Sequence, residues 1–115
     1  MRRASVVRYN SGCRRAKDKV IYVGIDPGQG GGIVALRKDG LVIFAVKMPE
    51  TDRDIYDLIE TCSQSHTVGA EHAHATLEKV ASSPQMGVVS AFTFGKGLGA
   101  LKMALCAAAI PFDEA

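Results

Sequence analysis

Val20 to Ile25 most strongly constrains the fold, because this nearly continuous apolar run is rich in β-branched residues. Such a run is typical of a central strand that is buried on both faces of a sheet. Asp26-Pro27-Gly28 follows at once and ends the strand, since proline cannot donate to the ladder and glycine favours a turn. We therefore expect a sheet built around this strand, with the Asp26 side chain held at its end.

Two further β-like runs follow, Ile33 to Leu36 and Leu41 to Val46. Asp39-Gly40 lies between them, and an Asp-Gly pair between two such runs predicts a hairpin with a type I′ turn, in which both central residues have positive φ. The first three strands are therefore expected to be antiparallel.

The next segment has helical periodicity. Ile55, Leu58, Ile59 and Cys62 fall at positions i, i+3, i+4 and i+7, and Thr51 stands where a helix cap is expected. This pattern predicts one amphipathic helix.

The remaining pattern is a strand followed by a helix. Ala75 to Val80 predicts a fourth strand, Pro84 to Gly87 a break, and Val88 to Ala109 a helix rich in small residues, with a fifth strand starting at Phe112. The order β-β-β-α-β-α, with the start of a fifth strand, predicts an α/β protein with an RNase H-like mixed sheet.

Charge divides the chain into a basic segment and an acidic body. Residues 1–19 hold seven of the 14 basic side chains and one acid, which leaves seven basic and 11 acidic side chains in residues 20–115. We expect a disordered tail at 1–19, either a simple leader or a phosphate-binding arm, and one domain at 20–115. The three cysteines form no paired motif, and no unbroken apolar run reaches the roughly 20 residues that span a bilayer. We expect a cytoplasmic protein with reduced thiols and no membrane contact.

Asp26 and Glu78 are the best candidates for chemistry. Glu78 is flanked by Leu77 and Val80 in a strand-like segment, where a carboxylate is costly unless a cation or hydrogen bonds satisfy it. Oxygen ligands from neighbouring strands suit Mg²⁺ or Mn²⁺, which assist phosphodiester hydrolysis. The alternatives are that Asp26 belongs to an ordinary turn and that Glu78 lies on a solvated face.

Three weaker motifs have simpler interpretations. The glycines from Gly28 to Gly32 precede a strand rather than a helix, so they are expected to leave the rim above Asp26 open to a bulky ligand instead of forming a phosphate loop. Gly95-Lys96-Gly97-Leu98-Gly99 is explained by close helix packing. Glu71-His72-Ala73-His74 is explained by a polar approach to the strand, with transition-metal contact as the alternative.

Four motifs together resemble the RuvC-like Holliday-junction resolvases, especially the phage and prophage type. They are Gly24-Ile25-Asp26-Pro27-Gly28, Leu77-Glu78-Lys79-Val80, Phe92-Thr93-Phe94-Gly95 and Ile110-Pro111-Phe112, and the resemblance runs from Val20 to the C-terminus. It implies an Mg²⁺-dependent (or Mn²⁺-dependent) endonuclease of recombination, repair or phage DNA processing that cuts four-way DNA junctions as a homodimer. Asp26 and Glu78 are then catalytic metal ligands.

The resemblance also assigns roles to the second helix and the segment before it. The stretch from Pro84 to Phe94 would meet junction DNA and begin the dimer-forming helix at 88–109, with Lys79 and Lys96 as phosphate contacts or simply solvated side chains. Family members carry two further acidic ligands on a later helix, and Asp113 and Glu114 come too early to replace them. We therefore expect the domain to be incomplete at its C-terminal side and its nuclease activity to be impaired.

Two other functions remain open from the sequence. A fragment of an actin-like ATPase would share the topology and the first Asp-x-Gly loop, and stabilisation by nucleotide would favour it. A non-catalytic DNA-binding or dimerisation module would use the helix at 88–109 as its functional surface.

Overall fold

The computed structural model describes residues 20–63, 72–79 and 87–115, so the basic segment 1–19 and the break predicted before Gly87 lie outside the described residues. The described elements are β1 (Val20–Asp26), β2 (Gly32–Arg37), β3 (Val42–Lys47), α1 (Asp52–Ser63), β4 (His72–Leu77), α2 (Val88–Ala107) and β5 (Phe112–Glu114). The strands form one sheet in the order β3-β2-β1-β4-β5. The predicted element order and the central position of β1 are confirmed.

The sheet is mixed. β1 pairs with β2, and β2 with β3, in antiparallel fashion, whereas β4 is parallel to both β1 and β5. Ile25 lies opposite Leu77 in the parallel ladder. One further hydrogen bond, from the Glu78 N–H to the Ile25 carbonyl at 2.9 Å, extends the pairing beyond β4. This register brings Asp26 and Glu78 to the same end of two neighbouring strands.

The two faces of β1 differ in burial. Ile21, Val23 and Ile25 are buried in a core that includes residues of both helices, whereas Tyr22 is 43% exposed and Asp26 is exposed. The expectation that β1 is buried on both faces is therefore wrong within the described residues. The buried β-branched side chains share one face, and the other carries a tyrosine, a glycine and an aspartate, so the run alternates.

The β2–β3 hairpin has a different turn from the one predicted. Gly40 has φ +93°, but among the described non-glycine residues only Ala109 has positive φ, so Asp39 does not fit a type I′ turn. The Gly40 N–H donates to the Arg37 carbonyl at 2.9 Å, and the Arg37 N–H donates to the Leu41 carbonyl at 2.8 Å. The Asp39 carboxylate accepts the Leu41 N–H at 3.1 Å. The loop is a three-residue connection that ends in a left-handed glycine.

Helix α1 forms as predicted. The Thr51 hydroxyl accepts the N–H of Asp54 at 3.1 Å, which satisfies one of the free donors at the helix start. The predicted apolar stripe is buried in the shared core: Ile55, Leu58, Ile59 and Cys62.

Helix α2 ends two residues earlier than predicted, in a defined C-terminal cap. Ala109 adopts φ 58°, its N–H donates to the Cys106 carbonyl at 3.0 Å, and the Ile110 N–H donates to the Leu105 carbonyl at 2.9 Å. This is a Schellman motif, which usually places glycine at the left-handed position. Ile110 is buried beside the core and directs the chain into β5.

Only the C-terminal half of α2 is buried. Its buried residues are Leu101, Ala104 and Leu105, whereas Val88, Val89, Phe92 and Met103 are exposed. By length and composition alone the helix could cross a membrane, contrary to the expectation based on unbroken apolar runs. A single helix of this kind is weak evidence, because core helices of soluble proteins pass the same test.

Candidate metal centre

The Asp26 and Glu78 side chains meet at the exposed end of β1 and β4. A hydrogen bond between the two carboxyl groups raises the pKa of Glu78 above its usual value, and the negative charge of Asp26 raises it further. The backbone agrees with this closeness, because the Glu78 N–H donates to the carbonyl of Ile25, the residue before Asp26, at 2.9 Å. The structure therefore brings the two predicted site residues together as an acid pair.

Such a pair is chemically suited to a hard divalent cation. Both groups offer oxygen atoms, and both are exposed, so neither is committed to a buried ion pair. A cation placed between them would offset the repulsion between the two carboxylates, because opposite charge stabilises them. The donor set fits Mg²⁺ or Mn²⁺.

Glu78 is more exposed than the sequence predicted. Glu78 lies one residue beyond β4 and is exposed, so the expected cost of burying its charge is absent. The close approach of Asp26, rather than burial, is the main cause of its raised pKa. Val80, which was expected to flank it, lies outside the described residues.

The β1–β2 turn fixes Asp26 through its glycines. The Gly31 N–H donates to the Gly28 carbonyl at 3.1 Å, and Gly28 has φ +105°. A Cβ at Gly31 would lie 1.8 Å from the Asp26 carbonyl oxygen, and one at Gly32 would lie 2.7 Å from the Val46 carbonyl oxygen, whereas Gly30 has nothing within 4 Å. The glycines thus permit close packing within the protein, and the expected role in opening the rim for a ligand is wrong for Gly31 and Gly32.

Both carboxylates line an open depression of about 550 Å³ on the sheet face opposite the helices. Its floor includes small side chains from three strands, among them Gly24, Ala45 and Thr76. Because these side chains do not project far, a ligand can approach the acid pair closely.

The histidines do not join this pair. β4 begins at His72, so strand alternation places His72 and His74 on the face of Glu78, as expected for a strand that starts this early. The His74 Nε2 atom lies 3.5 Å from the Asp113 Oδ2 atom. Within residues 20–63, 72–79 and 87–115 no three His, Cys, Asp or Glu side chains are grouped as metal ligands, and Glu71 lies outside these ranges. The transition-metal alternative gains no support.

The two acids of β5 are engaged elsewhere. Asp113 faces His74, and Glu114 forms an ion pair with Lys102 of α2 at 3.2 Å. Neither residue is among those that line the depression at Asp26 and Glu78.

Three lysines lie on or next to the elements that carry the site. Lys79 is exposed directly after Glu78, and Lys96 is exposed on α2 with its ammonium 5.7 Å from the centre of the Phe92 ring. Lys96 also lines a cleft of about 930 Å³ beside the β1–β2 turn, together with Lys47. Lys47, which ends β3, was not among the predicted phosphate contacts, although a lysine directly after an apolar run is visible in the sequence.

The sheet order and the two helices define an α/β protein of the RNase H-like class, and the fold is that of the RuvC-like resolvases. RuvC of T. thermophilus in complex with a Holliday junction substrate is similar with a TM-score of 0.50 and 22% identity, over 84% of this chain and 64% of that chain. A second Thermus thermophilus RuvC structure has a TM-score of 0.48 and 23% identity, over 83% of this chain and 63% of that chain.

This chain therefore spans less than two thirds of the RuvC chain to which it is similar. No protein-family model matches the sequence, and no curated protein matches it significantly. At this level of identity the likeness establishes the fold.

Proposed function

We propose that this chain is a divalent-metal-dependent endonuclease domain that acts on branched DNA, with Asp26 and Glu78 as ligands for Mg²⁺ or Mn²⁺. The placement of Asp26 and Glu78 side by side at the open end of two adjacent strands, where both line one depression, is the observation that carries the proposal. The likeness to RuvC bound to a Holliday junction supports a four-way junction as the substrate class. The biological setting would be recombination, repair or phage DNA processing in the cytoplasm.

The residues of this chain would position the metal ion and leave the site open to DNA. β1 and β4 hold the two carboxylates side by side, and the glycine turn fixes the backbone of Asp26. The open depression leaves space for a phosphodiester next to the pair. A divalent ion bound there would activate water and stabilise the leaving oxygen of the cleaved strand.

The rate should be low for these 115 residues alone. Two-ion cleavage needs enough carboxylates to hold both ions, and the acid pair offers two side chains where the family pattern has four. Because about 1.4 kcal/mol is a tenfold change in rate and a metal supplies several kcal/mol, the loss of one ion costs orders of magnitude. We expect weak, salt-sensitive junction binding and very slow cutting.

The exposed side of α2 supports a homodimer. Val88 is 86% exposed, Val89 78% and Phe92 68%, so three large apolar side chains lie in water within about one turn. Contiguous apolar surface of this kind marks an association site. Lys79 and Lys96 would then contact phosphates near the site. Sedimentation analysis should show self-association that Phe92→Ser weakens, and a strict monomer at high concentration would contradict this part.

The central test combines metal binding with cleavage. Wild type, Asp26→Asn and Glu78→Gln are titrated with Mn²⁺ by electron paramagnetic resonance and then incubated with a labelled four-way junction and Mg²⁺ or Mn²⁺. Asp113→Asn is the matched control, because it removes an exposed carboxylate of the same sheet that faces His74 instead. We expect binding in wild type and Asp113→Asn and its loss in the other two. Wild type without Mn²⁺ affinity, or stabilised by ATP instead, would refute the proposal.

A further inference from the structure

We propose that Phe94 of α2 is a positioning residue that holds the turn carrying Asp26 in place. This inference rests on the proposed function, because it concerns the same metal centre. It assigns to α2 a role inside its own subunit, in addition to any role in self-association.

The Phe94 ring lies beside Gly28. A Cβ built on Gly28 would be 3.5 Å from Phe94 Cε1 and 3.9 Å from Cδ1, which is ordinary van der Waals distance. A methyl group at Gly28 would therefore just contact the ring, which places Phe94 beside this position of the turn. Phe94 is partly buried, whereas Phe92, two residues earlier on the same helix, is 68% exposed.

A short series of contacts leads from this ring to Asp26. The carbonyl of Gly28 accepts the N–H of Gly31 at 3.1 Å. Gly31 in turn packs so closely on the Asp26 carbonyl that no Cβ would fit between them. A displacement of Gly28 therefore moves Gly31 and, with it, the backbone from which the Asp26 carboxylate projects.

The turn needs such a contact because of its composition. Gly28, Gly30, Gly31 and Gly32 are four glycines within five residues, and glycine has the largest conformational freedom of any residue. The Gly31 N–H donates to the Gly28 carbonyl within the turn, and the Met48 N–H donates to the Gly31 carbonyl at 3.0 Å. The second bond connects the turn to the end of β3. The aromatic ring restricts the remaining side, at Gly28.

The contact also links the free half of α2 to the site. The buried residues of this helix all lie at Leu101 or later, so its first half has no described residue in the core. Phe94 lies in that half and touches the turn. The orientation of the first half of α2 and the position of Asp26 are thereby coupled.

The test compares Phe94→Ala and Phe94→Leu with Met103→Ala, which truncates an exposed apolar side chain on the same helix. Mn²⁺ affinity is measured by electron paramagnetic resonance under conditions in which each variant is fully folded. Without metal, the hydrogen-exchange rate of the Gly31 amide measures how often the turn opens. For Phe94→Ala we expect about a tenfold loss of affinity, because residues that orient metal ligands contribute roughly 10- to 100-fold. Gly31 exchange should accelerate. Phe94→Leu should recover affinity to within about twofold, because it restores most of the packing volume, and Met103→Ala should bind like wild type.

Three results would overturn the inference: wild-type affinity in Phe94→Ala, unchanged Gly31 exchange, or an equal loss in Met103→Ala. If Phe94→Ala does not fold, Phe94→Val takes its place with an expected loss of about threefold. Failure of the wild type to bind Mn²⁺ would refute the proposed function instead, and Gly31 exchange would still decide whether Phe94 restrains the turn.

Discussion

Replacing Gly31 with alanine should disrupt the turn that carries Asp26. The added Cβ would lie 1.8 Å from the Asp26 carbonyl oxygen, 2.7 Å from its carbonyl carbon and 3.0 Å from the Pro27 carbonyl oxygen. These are backbone atoms, so no side-chain rotation can relieve the overlap, and the turn has to open. Opening threatens the bond that Gly31 donates to Gly28 and the bond that it accepts from Met48.

The magnitude follows from these losses. Each of the two hydrogen bonds contributes about 1 kcal/mol, and overpacking costs about 1 to 3 kcal/mol, so Gly31→Ala should lower the free energy of unfolding by roughly 3 to 5 kcal/mol. For a domain of this size, that corresponds to a fall in Tm of about 10 °C or more. Because the Asp26 backbone moves, Mn²⁺ affinity should fall as well.

The neighbouring glycine provides the control. A Cβ added at Gly30 would have nothing within 4 Å, and Gly30 has no positive φ, so Gly30→Ala should change stability by less than about 0.5 kcal/mol. Thermal melts by circular dichroism and Mn²⁺ titration of both variants make the comparison. Equal melting temperatures for the two variants would refute the argument that backbone contact at Gly31 fixes Asp26.

Three further predictions concern other parts of the chain. Ala109→Gly should raise the free energy of unfolding by about 0.5 to 1 kcal/mol in urea titrations, because the backbone of Ala109 is left-handed at φ 58°. Ala107→Gly, at a helical position of α2, should lower it by about 1 kcal/mol. A change of the same sign in both variants would contradict this reasoning. Burial raises the pKa of Cys62 to about 12, whereas Cys106 is exposed. Iodoacetamide at pH 8 should therefore modify Cys106 and leave Cys62 unmodified until the protein unfolds, which mass spectrometry of peptides can measure. The raised pKa of Glu78 contributes stability below its ordinary value of 4.5, and that stability is lost as the pH rises through the raised value. Without metal, Glu78→Gln should therefore melt higher than wild type at pH 7, and Mg²⁺ should stabilise only the wild type; identical melts at pH 7 with and without Mg²⁺ would count against the acid pair.

The sequence was sufficient to predict the order of elements, because their signals are local. The β-branched run of β1, the Thr51 cap and the spacing of the α1 stripe each depend on residues within a few positions of one another. Asp26 could be proposed because it ends an apolar strand, and Glu78 because it stands among apolar neighbours in a strand-like segment. Their contact follows from the register of β1 and β4.

Features that depend on three-dimensional proximity could not be predicted. The open face of β1 was missed because Tyr22 and Gly24 do not interrupt an apolar run, although they are not buried like its valine and isoleucines. The turn at Gly40 depends on a bond accepted by the Asp39 carboxylate, which composition does not reveal. The contact of Phe94 with Gly28 joins positions far apart in the chain, so no periodicity indicates it.

The pairing of β1 with β4 has a consequence for the order in which the protein folds. β1 and β2 form a hairpin of low sequence separation, whereas Asp26 and Glu78 are 52 positions apart in the chain. Because closing a long loop costs more entropy than closing a short one, the hairpin should form early and the parallel pairing late. The acid pair is then absent from the early chain and complete only in the native state. An ion that binds both carboxylates would bind the native state alone, and its affinity would add directly to the free energy that keeps β4 attached to β1.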